Sequence, residues 1–297
     1  MRVLITGASG FLGRPCLLLL RARGHGVLAL SRHPRPTGID EGVQWHVADL
    51  NDADSYEPAI RGFAPESALH LAWEGIPDYG LTTSLRNTSI GCVLGDVLFK
   101  AGCRHLAVSG SCWEYGKVSG LVKETDAPVA PDVFGAAKAS QRLMLDALAR
   151  AAGATLAWGR VFYPYGPAQK ATSLAPALCR AVLAGDKPVL KTPHAVNDFI
   201  YVDDAAEALV VLTEAMISGI FNIGSGTGTA VGAMADALLE LADHPAVFRG
   251  STAANCELKG FWADTAALKS LGWRTKTPLG EGLRRTLAFF RESRATC

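Results

Sequence analysis

The chain has 297 residues, of which 49% are hydrophobic, enough for one large domain or a large domain with a smaller lobe. Its 29 Lys and Arg residues balance 28 Asp and Glu residues, and this net charge of +1 gives no reason to expect a nucleic-acid or acidic-membrane partner. The seven cysteines form no C-x-x-C pair, which is typical of a reduced chain without disulfides or a metal site. Because the chain opens on a strand pattern and not on a leader, we expect a cytoplasmic protein.

The first predicted elements are a buried strand over residues 2–6 and a helix over 11–23, joined by a glycine-rich turn. Gly7, Gly10 and Gly13 in this turn are spaced G-x-x-G-x-x-G. Gly7 permits the tight turn, Gly10 lets the backbone approach a pyrophosphate, and Gly13 lets the helix pack closely on the strand. The pyrophosphate would accept hydrogen bonds from N–H groups at the helix N-terminus. The predicted dinucleotide site therefore begins with Gly7, Ser9, Gly10, Phe11, Leu12 and Gly13.

Strand and helix patterns alternate through the first half of the chain. The predicted strands cover 2–6, 26–31, 43–47, 67–72, 104–109 and 155–162, and the predicted helices cover 11–23, 54–62, 81–101 and 134–151. This alternation indicates right-handed βαβ crossovers and an α/β fold with a doubly wound parallel Rossmann sheet. We assign residues 1–162 to this dinucleotide-binding domain. Residues 163–297 form mainly a smaller substrate lobe, partly interleaved with the first domain.

In the second half, proline and glycine interrupt the alternation. The patterns predict a helix over 172–184, a strand from Asp198 that leads into a helix over 204–216, and a short strand over 221–224. Carboxylates suit the positive end of a helix dipole, so we interpret Asp203 and Asp204 as structural.

The residues after the second strand bear on which nucleotide is bound. The strand ends at Ser31, which Arg32 follows. A carboxylate in this position would accept a hydrogen bond from the ribose 2′-hydroxyl of NAD, but none is present, and a guanidinium can bind a 2′-phosphate with two hydrogen bonds. The sequence thus favours NADP(H) over NAD(H), with the alternative that Arg32 is only a solvated loop residue.

The ends of the third and fourth strands extend this site. Asp49, followed by Leu50, could bond the adenine amino group. Leu71, Ala72 and Trp73 follow the fourth strand, where small residues leave room for a ribose and a pyrophosphate. Open α/β sheets bind ligands at this edge, so we add these five residues to the cofactor site.

The helix predicted over 81–101 carries an apolar stripe. The stripe consists of Ile90, Val93, Leu94, Val97 and Leu98, at helical spacing. It can pack on the sheet, or it can also form a homodimer face together with the neighbouring helix over 134–151.

Further short motifs run through nearly the whole chain. They include Thr6 to Gly13, Asp49 and Leu50, His70 to Ala72, Asn87, Ser109 to Ser111, Tyr115 and Gly116, Gly135 to Lys138, Arg160, Tyr165 to Pro167, Asp198 to Asp204, Phe221 to Gly224, and Leu271 to Trp273. With these motifs the chain resembles the extended short-chain dehydrogenase/reductases, also called the NAD-dependent epimerase/dehydratase family. The resemblance implies an enzyme with a nicotinamide dinucleotide and a nucleotide-sugar substrate, and it places Asn87, Ser109, Lys138 and Phe162 at the cofactor.

The resemblance also implies a catalytic Ser or Thr, and a Tyr four residues before a Lys. Ser111 and Lys138 match, but Phe134 stands at the tyrosine position. A tyrosine whose pKa is lowered by a nearby ammonium can exchange a proton with a sugar oxygen, and the i, i+4 spacing puts both side chains on one helix face. Phenylalanine has no such proton, and losing a general acid costs about 10²–10⁴ in rate.

Three explanations of Phe134 stay open. The chain can carry a tyrosine-to-phenylalanine substitution that traps a bound ligand. Another acid can act instead, with Tyr163 or Cys112 the nearest by motif position. Alternatively, the protein binds nucleotides without catalysis.

The residues after Ser111 narrow the reaction that the resemblance implies. Cys112 and Trp113 stand where dehydratases of the family have an Asp–Glu pair, so elimination of water is disfavoured. The family's 3,5-epimerases have a cysteine at the position of Trp113, so that reaction is disfavoured too. The segment from Ser111 to Gly116 is most similar to that of reductases of nucleoside-diphosphate 4-keto-6-deoxysugars.

The substrate site is predicted from five residues, namely Ser111, Cys112, Trp113, Tyr163 and Asn197. Tyr163 stands where the family often has a substrate-binding Asn, and it can meet a sugar oxygen or pack on the nicotinamide. Asn197 stands where the family often has an Arg that holds a diphosphate, which weakens that clamp. Lys191, His194 and Lys259 are nearby basic residues, each interpreted first as a surface residue.

We therefore predict NAD(P)H-dependent reduction of a nucleoside-diphosphate 4-ketosugar by hydride transfer at C4. One alternative is a nucleotide-sugar 4-epimerase with tightly bound NAD. A second alternative is a non-catalytic dinucleotide-binding sensor.

Overall fold

The computed structural model describes residues 1–38, 41–129, 131–248 and 260–295. Its strands are β1 (Arg2–Thr6), β2 (Gly26–Ser31), β3 (Val43–Val47), β4 (Ser67–His70), β5 (His105–Ser111), β6 (Gly120–Val122), β7 (Thr155–Val161), β8 (Tyr163–Tyr165), β9 (Val196–Asn197), β10 (Phe199–Tyr201), β11 (Gly219–Ile223), β12 (Thr229–Ala230) and β13 (Phe261–Ala263). Seven of them form one sheet in the order β11, β7, β5, β4, β1, β2, β3. Every neighbouring pair in this sheet is parallel.

Helices cover both faces of the sheet. They are α1 (Gly13–Ala22), α2 (Glu57–Phe63), α3 (Leu81–Lys100), α4 (Val133–Ala151), α5 (Leu174–Ala184), α6 (Val202–Ala215), α7 (Val231–Leu241), α8 (Ala266–Ser270) and α9 (Leu279–Ala295). Alternate residues of β1 show the two layers, because Val3 and Ile5 pack in the core formed with α1 and α6, and Leu4 packs in the core formed with α2, α3 and α4. Burial on both sides explains why this strand is a continuous apolar run. The predicted doubly wound α/β fold is confirmed.

Several element boundaries differ from the predicted ones by a few residues, and two of these differences lie at the same edge of the sheet. The fourth strand was predicted to reach residue 72, but β4 ends at His70 because the N–H groups of Leu71 and Ala72 donate to Oγ1 of Thr6, at 3.3 and 3.2 Å. Helix α1 starts at Gly13 and not at residue 11, because the turn is closed by a hydrogen bond from the Gly10 N–H to the Gly7 carbonyl. Both differences shape the loops at the carboxyl ends of the strands.

The second half of the chain contributes to both parts of the fold. Strand β11 joins the central sheet beside β7, and α6 packs on α1. Helices α5, α7 and α9 build a separate apolar cluster with β10. Three short strand pairs, β8 with β10, β9 with β12 and β6 with β13, lie outside the central sheet.

The apolar stripe of α3 divides between two environments. Ile90, Leu94, Val97 and Leu98 are buried against the sheet, whereas Val93 is 42% exposed. In the described ranges, no helix combines the length and apolarity that a bilayer crossing requires.

Candidate active site

One cavity of about 800 Å³ lies at the carboxyl ends of β1, β2, β4, β5 and β7, where loops and the C-terminal lobe meet. This is the edge at which open α/β sheets bind ligands. Most of the predicted site residues line it: Gly7, Ser9, Gly10, Phe11, Leu12, Gly13, Ser31, Arg32, Leu50, Leu71, Ala72, Trp73, Ser109, Ser111, Cys112, Trp113, Phe134, Lys138, Phe162 and Tyr163. Asp49, Asn87 and Asn197 do not belong to this lining.

The glycine turn leaves no room for side chains. A Cβ at Gly13 would lie 1.9 Å from the Gly7 carbonyl oxygen, and one at Gly7 would lie 2.9 Å from the Ala72 nitrogen. Gly7 also has φ of +71°, a conformation that glycine adopts without strain. The turn thus brings bare backbone to the cavity wall beside the N-terminus of α1, where the first N–H groups have no partner within the helix. These features fit a pyrophosphate group.

A buried polar pair holds the loop after β4 against this turn. Oγ1 of Thr6 lies 2.8 Å from Nδ1 of His70 and also accepts from the two N–H groups that end β4. Burial lowers the pKa of His70 to about 3, so the imidazole is neutral at physiological pH. Since both side chains are fully or almost fully buried, the pair acts on the shape of the loop and does not reach the cavity.

Where the cavity meets the end of β2, Arg32 is paired with a carboxylate. Its Nη1 lies 3.1 Å from Oε1 of Glu74, and Nη2 of Arg86 lies 3.6 Å from Oε2 of the same residue. Arg32 therefore has an ion-pair partner while its side chain stays 54% exposed. Glu74 lines the cavity in the loop after β4 and was not selected from the sequence.

Two residues predicted at the cofactor have structural partners instead of a place in the lining. Asn87 on α3 accepts from the Glu74 N–H at 2.6 Å and donates to the Glu74 carbonyl at 3.0 Å. It therefore fixes the backbone of the loop after β4. Asp49 accepts hydrogen bonds from the backbone and side chain of Asn51, which lower the pKa of its carboxyl.

The predicted diphosphate clamp does not reach the cavity either. Asn197 belongs to β9, which pairs with β12 in an antiparallel strand pair. In this pair Asn197 lies opposite Thr229. Lys191 and His194 are also absent from the cavity lining, and Lys259 lies outside the described residues.

Lys138 lines the cavity and is itself buried. Its Nζ donates to the Ser109 carbonyl at 2.8 Å and lies 3.9 Å from the centre of the Trp73 ring. Burial lowers its pKa to about 7, and the charge of Glu114 opposes this shift. Near neutral pH the amine thus populates both protonation states and can give up or accept a proton.

Phe134 packs in a cluster of aromatic rings beside Lys138. Its ring centre lies 5.3 Å from that of Trp73, 5.0 Å from Tyr79 and 5.7 Å from Trp113, with edge-to-face geometry. Four rings from three separate segments therefore form one apolar wall of the cavity. Tyr79 was not selected from the sequence, because the loop before α3 shows no periodic pattern.

Ser111 is held in place by a buried carboxylate. Oε1 of Glu114 accepts from the Ser111 N–H at 2.9 Å and from Nε1 of Trp158 at 2.8 Å, and Oε2 accepts from Nε of Arg160 at 3.0 Å. The Ser111 hydroxyl in turn accepts from the Trp113 N–H, which completes a capping box on the short helix Cys112–Tyr115. This network fixes where the strand end presents Ser111 to the cavity.

The two alternative acids, Tyr163 and Cys112, both line the cavity. Burial raises the pKa of the Tyr163 hydroxyl and of the Cys112 thiol well above their usual values. Each therefore keeps its proton at neutral pH, and each is a weaker proton donor than an ordinary tyrosine or cysteine. In the described part of the chain, no group of three His, Cys, Asp or Glu residues is placed to hold a metal ion.

The chain is similar to known enzymes over most of its length. The model of the NAD dependent epimerase/dehydratase family matches residues 3–224. A dTDP-L-rhamnose 4-epimerase of Burkholderia thailandensis is 26% identical over 342 aligned positions, with 95% of this chain and 93% of the relative covered. A 3-diazoavenalumate denitrifying reductase of a Streptomyces species is 31% identical over 236 positions, with 75% of each chain covered.

A solved structure is similar over almost the full length. MoeE5 in complex with UDP-glucuronic acid and NAD has a TM-score of 0.81 and 28% identity, with 99% of this chain and 100% of that chain covered. The cofactor in that complex is NAD, so the preference for NADP(H) expected from Arg32 has no support from this relative. The match over residues 3–224, which includes the glycine turn, Ser111 and Lys138, confirms the predicted family. This chain belongs to the NAD-dependent epimerase/dehydratase family of enzymes, within the extended short-chain dehydrogenase/reductases.

Proposed function

We propose that this chain is an NAD(P)H-linked reductase that acts on C4 of a nucleoside-diphosphate 4-ketosugar. The observation that carries the proposal is Phe134, which stands in the cavity wall beside Lys138. A bound nicotinamide dinucleotide supplies the hydride. The residues of the chain then have to orient the carbonyl and provide a proton to the oxygen that receives negative charge.

The missing hydroxyl affects the two directions of the reaction unequally. Oxidation of a sugar alcohol needs a base that removes the hydroxyl proton, and Phe134 cannot do this. Reduction of a ketone produces an alkoxide, a strong base that can take its proton from a weaker donor. Ser111 and the ammonium form of Lys138 both line the cavity and can serve as donors. Net reduction therefore depends less on the absent tyrosine than an oxidation does.

A nucleotide-sugar substrate is supported by the relatives and by the size of the cavity. The MoeE5 complex holds UDP-glucuronic acid with NAD. Here the cavity continues past Phe162 to Phe199 and Met234 in the lobe, beyond the part that the dinucleotide motifs line. Lys170 also lines the cavity and provides a cation there, in the absence of an Arg at the position of Asn197.

A nucleotide-sugar 4-epimerase is the second candidate. The similarity to a dTDP-L-rhamnose 4-epimerase over 95% of this chain favours it. Such an enzyme oxidises and then reduces the same carbon, so it needs the proton acceptor that Phe134 lacks, and no reduced cofactor is consumed.

The test is to follow NADH and NADPH absorbance with a panel of nucleoside-diphosphate 4-keto-6-deoxysugars, and to analyse the sugar product. The proposal expects one reduced cofactor consumed for each alcohol formed. Interconversion of a 4-hydroxy sugar and its epimer without consumption would establish the epimerase instead. Cofactor binding without turnover of any substrate would favour the sensor.

The panel should also include an aryl diazo compound. One relative of this chain is named a denitrifying reductase of a diazo compound. Transfer of hydride to an aryl diazonium carbon gives the arene and N₂ and needs no proton donor, which matches a site with Phe134. If only this compound led to consumption of cofactor, the chain would still be a reductase, but its substrate would be a diazo compound and not a ketosugar.

A further inference from the structure

We propose that Glu74 makes this protein prefer NAD(H) over NADP(H), by accepting a hydrogen bond from the adenosine ribose and repelling a 2′-phosphate. The inference rests on the proposed function, in that it requires a nicotinamide dinucleotide in the cavity. It identifies a specificity-determining residue that comes from the loop after β4 and not from the end of β2.

The position of Glu74 in the cavity favours this role. Glu74 lines the same cavity as Ser31 and Arg32, the two residues that end β2. Its carboxylate lies 3.1 Å from the Arg32 guanidinium, so it reaches the adenosine end of the site from the opposite side of the glycine turn. The acidic position at the end of β2 holds Ser31, and Glu74 supplies the carboxylate that this position lacks.

The backbone of Glu74 is also held in place. Its backbone N–H donates to Oδ1 of Asn87 at 2.6 Å, and its carbonyl accepts from Nδ2 of Asn87 at 3.0 Å. Asn87 is itself anchored, because the same Nδ2 donates to the Thr83 carbonyl at 2.8 Å within α3. The carboxylate is only 14% exposed, so water screens its charge less than it screens that of Arg32, which is 54% exposed.

Charge then decides between the two cofactors. A phosphate monoester carries about −1.5 to −2 charges at neutral pH, and it would have to displace Glu74 from Arg32 or lie beside a partly buried carboxylate. Either event costs binding free energy. A ribose hydroxyl has no charge and can donate to that carboxylate, so NAD(H) meets no such penalty.

The experiment measures dissociation constants by calorimetry at low salt, for NADH and NADPH, with the wild type and three variants. The wild type should bind NADH at least about tenfold more tightly than NADPH. Glu74→Gln keeps the side-chain shape and removes the charge, and it should shift the ratio toward NADPH by about tenfold or more. Glu57→Gln is the control, because Glu57 pairs with Arg61 on α2 outside the cavity, and its ratio should equal that of the wild type.

Adding Arg32→Met and Arg86→Met to Glu74→Gln should cancel the gain in NADPH affinity, since the two guanidinium groups that Glu74 pairs with are its source. Circular dichroism checks that each variant folds. A wild type that prefers NADPH, or a ratio that Glu74→Gln leaves unchanged, would overturn the inference while the proposed function stands. Failure of the folded wild type to bind either dinucleotide would overturn both.

Discussion

A single atom separates Phe134 from the tyrosine that the family's chemistry uses. The Phe134 ring keeps the contacts that a tyrosine ring would make, with three aromatic neighbours within 5.7 Å, and Lys138 lies one helical turn away. The position is therefore built to hold a ring and lacks only the hydroxyl.

Restoring the hydroxyl tests this interpretation directly. Phe134→Tyr should raise kcat for ketone reduction by about 10²-fold or more, because it returns a general acid to the position beside Lys138. The measurement is steady-state cofactor oxidation, with Phe134→Leu as the control that changes the ring and adds no acid. Equal rates for Phe134→Tyr and the wild type would mean that the acid lies elsewhere, and Tyr163→Phe would be tested next.

Lys138 should give the wild-type reaction a characteristic pH dependence. Burial holds its pKa at about 7, below the ordinary lysine value, so the ammonium form is lost as the pH rises through about 7. If this ammonium provides the proton and the positive charge, kcat falls above that pH and is constant below it. The check is a pH–rate profile of the wild type and of Lys138→Met, and the descending limb should be absent from the variant. A profile that rises with pH would contradict the assignment.

At the scale of elements, the unit β1–turn–α1 depends on backbone packed against backbone. The first turn of α1 lies so close to the end of β1 that the Gly13 position touches the Gly7 carbonyl. A side chain here would push the helix away from the strand, and the N–H groups at its start would move with it.

Gly13→Ala should therefore weaken NADH binding by at least about tenfold and destabilise the fold by roughly 1–3 kcal/mol, as an overpacked site does. The measurements are calorimetric titration and thermal unfolding. Gly62→Ala on α2 is the matched control, because a Cβ there meets nothing within 4 Å, and alanine favours a helix. Unchanged binding in Gly13→Ala would show that the turn does not position the cofactor.

For the whole molecule, α3 and α4 together leave an apolar surface uncovered. Leu81, Leu85 and Val93 on α3 are 60%, 59% and 42% exposed, and Leu143 and Met144 on α4 are 58% and 52% exposed. The two helices pack on each other and contribute to the same core cluster on one face of the sheet. Large contiguous apolar patches on soluble proteins often mark interfaces.

We propose that this surface joins two copies of the chain into a homodimer. Light scattering after size exclusion should give twice the chain mass of 31.3 kDa, and Leu85→Lys with Met144→Lys should give the single mass. Leu18→Lys is the control, since Leu18 on α1 is 50% exposed and lies away from this surface. A wild-type monomer at micromolar concentration would contradict the proposal.

The sequence by itself determined the features that depend on neighbours along the chain. The alternation of apolar and amphipathic segments determined the parallel sheet. The residues from Gly7 to Gly13 determined the turn, and the i, i+4 spacing put Phe134 and Lys138 on one helix face. Local periodicity and backbone sterics specify such features, so a linear pattern contains them.

Only the tertiary structure decided the features that need distances between remote segments. In the tertiary structure Arg32 pairs with Glu74, and Asn87 holds the backbone of the loop after β4. Asn197 does not belong to the cavity lining. The tertiary structure also raised or lowered the proton affinities of the buried groups, Lys138 among them. Ion pairs, hydrogen bonds and burial depend on separations of a few ångströms between loops far apart in the chain, and no periodicity along the sequence encodes those separations.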